Sequence, residues 1–101
     1  GHHFEIQETA LPIRSDVRSA CDILGFDPLY VANEGCLALF CPARDAAKAL
    51  EILHRHPLGH QARQIGTVKD ALAEGRVTLL TNLGISRVLA LLSGEQLPRI
   101  C

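Results

Sequence analysis

Cys101 closes the stretch GEQLPRIC and puts a thiol and the α-carboxylate on one residue. A cysteine there adds little packing, because chain ends are usually the least ordered part of a domain, so whatever value it has is chemical. The neighbouring carboxylate opposes thiolate formation by like-charge repulsion. Arg99 partly offsets it, so Cys101 need not be unusually acidic. Glu34, between Asn33 and Gly35, has two readings. It is an ordinary solvated turn carboxylate or, at the mouth of a central strand, a general base. The residue pattern alone leaves both open. His54, His56 and His60 form H-x-H-x3-H, which invites a metal reading because imidazole is a common ligand. On a helix, however, positions i and i+2 point roughly 200° apart. Cations at a helix C-terminus are explained by the macrodipole alone, so no metal site is expected.

The other three cysteines, Cys21, Cys36 and Cys41, lack any C-x-x-C spacing and lie in apolar surroundings, where they are read as small buried hydrophobes. A reduced, cytoplasmic chain is expected. No Walker or G-x-G-x-x-G pattern occurs, so the chain has no recognisable nucleotide site of its own. With 101 residues it has room for one core. Ten Lys+Arg against eleven Asp+Glu give a net charge of -1, with no basic run and few aromatics, which argues against a nucleic-acid surface. Apolar runs such as CLALFC and VLALL fall far short of the roughly 20 residues of a membrane span. The opening GHHF reads as the remnant of a histidine tag and is set aside as residues 1–4.

The elements that must position these groups are read from periodicity. EIQETALPI alternates weakly, and Pro12 confines it to an edge strand. SDVRSACDILG predicts a helix capped by Ser15 and closed by Gly25, with Val17, Ala20, Cys21 and Leu24 on its buried stripe. Leu29 to Ala32 reads as a loop or short strand, Asn33-Glu34-Gly35 as a turn, and Cys36 to Cys41 as a central strand apolar on both faces. PARDAAKALEILHRHP is the clearest helix, with Ala46, Ala49, Leu50 and Leu53 inward. QARQIGTV and RVTLL predict a hairpin with an irregular connection, and ISRVLALL one more strand. Together these give an α+β (α/β layered) domain, a mixed sheet covered by helices.

The motifs ANEG, HPLGHQARQIGTV and LPRIC, in this order and at about this spacing, resemble the hydrogenase expression/formation protein family HypE, from about Glu5 to Cys101. The resemblance implies a PurM/AIR synthetase-like C-terminal domain with partial ferredoxin-like character over residues 5–92, followed by a flexible tail over 93–101 that ends in a carrier cysteine. It implies that Cys101 accepts a carbamoyl group from the carbamoyltransferase HypF. ATP-dependent dehydration then gives a thiocyanate, the source of the cyanide ligands of the [NiFe]-hydrogenase iron, passed on through the HypC–HypD scaffold. Pro98, Arg99 and Ile100 match the family's tail motif, and Glu34 matches its acidic position and is the possible general base.

ATP and magnesium are implied for a full-length parent, itself a homodimer, and none for this piece, since the family's ATP-binding domain is missing. Alone, the piece is expected to be an acceptor domain and not a complete enzyme. Two other classes remain: a docking module for maturation partners with no chemistry of its own, and a metal-binding module. A further expectation is that the tail is mobile from about Ser93, its extended reach from Gly94 being about 26 Å.

Overall fold

The computed structural model describes residues 1–91. The chain divides into two compact units, one made of Gly1–Pro12 and Cys41–Ala90, the other built on Ile13–Phe40. The first unit holds a four-stranded mixed sheet. Its strands are β1 (His2–Gln7), β2 (Gly66–Ala71), β3 (Arg76–Leu80) and β4 (Ser86–Val88), in the order β2-β1-β3-β4. With helices α1 (Ser15–Leu24) and α2 (Ala46–Arg55) the fold is α+β.

β1 is therefore an inner strand and not the edge strand that Pro12 suggested. It ends at Gln7, and a 3-10 turn over Glu8–Ala10 follows, so the proline lies beyond the ladder and removes no hydrogen bond from it. β1 runs antiparallel to β2 (Phe4↔Val68, Ile6↔Gly66) and parallel to β3 (Phe4↔Val77, Ile6↔Leu79). The expected β2–β3 hairpin does not form. Both strands bond to β1, which lies between them, and the intervening residues cross the end of β1 instead of making a tight turn. Short sequence separation favours a hairpin only when no third strand competes for the same edges.

Residues 1–4, set outside the fold on sequence grounds, supply much of β1. His3 Nε2 is hydrogen-bonded to Thr78 Oγ1 at 2.7 Å. Thr78 is the buried polar residue of β3, and a buried hydroxyl requires such a partner. On the other side Lys69 Nζ meets Glu5 Oε2 at 3.0 Å. Cross-strand polar pairs thus tie β1 to both neighbours, each worth about 0.2–1 kcal/mol.

Among the described residues Leu79, Cys21 and Thr78 are the buried ones, Leu79 with 1% of its surface exposed. Leu79→Ala is expected to cost about 2–5 kcal/mol, read as a lower denaturation midpoint at unchanged slope. An effect below about 1 kcal/mol would show that the sheet tolerates the cavity.

Both helices form where the periodicity places them. Gly25 closes α1 in the left-handed conformation (φ 74°), and the Phe26 N–H donates to the Cys21 carbonyl at 2.9 Å. The start differs by one residue: Arg14 is the N-cap, and the first turn is secured by the Asp16 carboxylate, which accepts the Val17 N–H at 2.8 Å and pairs with Arg14 at 2.6 Å. Of the expected buried stripe of α1 only Cys21 is buried, while Leu24 is 64% exposed. In α2 the inward residues Ala46, Ala49, Leu50 and Leu53 are indeed the half-buried ones.

Between the helices Leu29 to Ala32 takes the loop alternative, and the strand expected over Cys36 to Cys41 is absent. Pro28–Tyr30 is a 3-10 turn, set by Pro28 and by Asp27 Oδ1 accepting the Leu29 N–H at 3.0 Å. Residues 36–41 join no ladder. An apolar run has strand propensity, but a strand exists only where another edge accepts its backbone groups. Among the described residues no helix is long and apolar enough to cross a membrane.

Candidate functional site

Glu34 lies in the second unit, exposed, at the entry to the apolar segment that begins at Cys36. The backbone reverses at Gly35, whose φ of +75° favours glycine because a Cβ there would strain the chain. Among the described residues the Glu34 carboxylate enters no hydrogen bond or ion pair. It is solvated, free to accept a proton, and not required by the fold. The mouth of a central strand is not its setting, since residues 36–41 join no ladder.

The cysteines correct a sequence expectation. Cys21 is a buried small hydrophobe, as read, whereas Cys36 and Cys41 are exposed free thiols. Their apolar neighbours Leu37, Leu39 and Phe40, which suggest burial, are themselves 58–76% exposed. Maleimide labelling with peptide mapping is expected to mark Cys36 and Cys41 rapidly and Cys21 only after denaturation. Equal rates for all three would refute this exposure pattern.

His54 and His56 are occupied by local hydrogen bonds at the end of α2: His54 Nε2 with the Ala62 carbonyl at 2.7 Å, and His56 Nδ1 with the Leu58 N–H at 3.1 Å. Their pattern signalled dipole compensation but not these contacts. Among the described residues no three His, Cys, Asp or Glu side chains converge to hold a metal ion. Cys101, with Pro98, Arg99 and Ile100, lies outside the described residues, as does the tail expected to be mobile.

The family model for AIR synthase related protein, C-terminal domain, matches residues 1–77. The chain belongs to that family. The match takes in Glu34 and all of β1, residues 1–4 included, and stops short of the tail motif. Among individual relatives of this AIR synthase related domain, carbamoyl dehydratase HypE of Azotobacter vinelandii is 51% identical over 102 residues, covering 100% of the chain and 29% of the relative. A crystal structure of hydrogenase maturation protein HypE in complex with ATP superposes with a TM-score of 0.86 at 44% identity, over 99% of the chain and 31% of that structure. A HypE–HypF complex gives 0.81 at 39% identity, over 89% of the chain and 28% of that structure. The chain thus spans about 29% of the length of the curated relatives it matches.

ATP, present in one of those structures, is not matched by the described residues. A phosphate cradle is built from a glycine loop opening onto a helix N-terminus. The positive-φ glycines here, Gly25, Gly35 and Gly84, open no helix, and α2 begins behind Asp45, whose charge repels phosphate.

Proposed function

We propose that this chain is the acceptor part of a HypE-type carbamoyl dehydratase, which supplies the cyanide ligands of the [NiFe]-hydrogenase iron from a thiocyanate built on Cys101. The identity to HypE relatives along the whole chain carries this reading. In the first step the Cys101 sulfur forms a bond to a carbamoyl carbon, the carbon's bond to its activating carrier breaks, and the sulfur loses its proton. In the second, S–CO–NH2 becomes S–C≡N with net loss of water. Both nitrogen protons must be removed, and Glu34 is assigned one of them as general base. Its exposure and lack of competing partners support that role.

Pro98, Arg99 and Ile100 present the thiol to each site. HypF is the proposed carbamoyl donor, the HypC–HypD scaffold the acceptor of the cyanide, and the cytoplasm the compartment. ATP and magnesium are assigned to a part of a longer, homodimeric parent not represented here. On its own the chain accepts the group and does not dehydrate it.

The test is intact mass after incubation with HypF, carbamoyl phosphate and ATP. One added carbamoyl group is the expected result, and an unchanged mass would overturn the reading. A second reading, a docking module without chemistry, is favoured by the exposed run Leu37, Leu39 and Phe40. It predicts binding to HypF with no mass change.

A further inference from the structure

We propose that His56 is a pH-responsive latch on the segment joining α2 to β2. α2 stops at His56, whose N–H donates to the Leu53 carbonyl at 3.1 Å, and the chain then folds back on the helix end. Gly59 N–H donates to the His56 carbonyl at 2.9 Å and Ala62 N–H to the Gly59 carbonyl at 3.1 Å. The return is so close that a Cβ on Gly59 would lie 2.0 Å from the Leu53 carbonyl oxygen. Two imidazoles hold this segment in opposite senses. His54 faces a carbonyl, so its Nε2 is the donor. His56 faces a backbone N–H, so its Nδ1 is the acceptor and carries no proton.

The asymmetry sets the response to acid. A protonated imidazole has two N–H donors and no acceptor. Protonating His54 leaves its bond to Ala62 in place. Protonating His56 sets two donors against each other and opens the Leu58 bond. The titratable and charged groups flanking this segment are Glu51, His54 and Arg55 on α2, with Arg55 and Glu51 already paired, and His60 and Arg63 beyond the turn. Imidazole is the side chain whose charge ordinarily changes between about pH 5 and 8. Opening the Leu58 bond loosens the lead into β2 while the His54 tether holds the segment near the helix.

Nuclear magnetic resonance on the 15N-labelled 101-residue chain tests this. At pH 8 the His56 ring should carry its proton on Nε2. On passing to pH 5.5 the Leu58 amide should lose protection by about two- to tenfold after correction for intrinsic exchange, the range expected for one backbone-to-side-chain hydrogen bond. His56→Asn supplies a carboxamide oxygen as acceptor that cannot titrate, as in an Asx turn. It should keep Leu58 protected at both pH values, whereas His56→Ala should expose it at both. A proton on Nδ1 at pH 8, or the same pH response in His56→Asn, would overturn the proposal.

Discussion

Cys101→Ala is expected to abolish carbamoyl uptake from HypF, with the added mass in the parent sequence mapping to Cys101 alone. Accessibility does not account for this selectivity, because Cys36 and Cys41 are also exposed thiols. On the proposed reading the discrimination rests on recognition. A partner's site that binds the Pro98-Arg99-Ile100 segment raises the effective concentration of the attached sulfur at the activated carbon, and well-oriented intramolecular reactions gain about 7–11 kcal/mol from such placement. Cys36 and Cys41 gain nothing from tail binding. Arg99→Ala should accordingly reduce uptake without shifting label to the other cysteines. Comparable label on Cys36 or Cys41 in the parent sequence would mean that exposure governs the reaction and that Cys101 is not the carrier.

Glu34→Gln, placed in a full-length protein that carries this chain, is expected to accept the carbamoyl group normally and to form thiocyanate about 10²–10⁴-fold more slowly, the usual loss on removing a general base. Folding should be unaffected. The residue is exposed, makes no hydrogen bond or ion pair among the described residues, and leaves the left-handed turn to Gly35. Gln keeps the size and polarity of the side chain and removes only its capacity to take a proton, so a structural role would not separate the two steps. Single-turnover dehydration of pre-carbamoylated protein, followed by mass, measures the effect directly. An unchanged rate removes the assignment of Glu34 as base.

What the sequence determined by itself is what local chemistry controls. The two helices could be placed because their hydrogen bonds close within a few residues and because Gly25 and the i, i+3, i+4, i+7 pattern of α2 act locally. The residues proposed to carry the chemistry stand out in the sequence as well. Cys101 stands out by position and motif, and Glu34 by its place before a turn glycine.

Only the tertiary structure decided how the strands pair, because a strand's partners are not encoded in its own residues. β1 became an inner strand by bonding to β2 and β3, from the far side of the sequence. That insertion cancelled the hairpin and brought His3 into the sheet as the partner of Thr78. Residues 36–41 join no ladder despite their strand composition, and Cys36 and Cys41 are exposed. Hydrophobicity states that a side chain gains by burial, and only the assembled neighbours determine whether there is a surface against which to bury it.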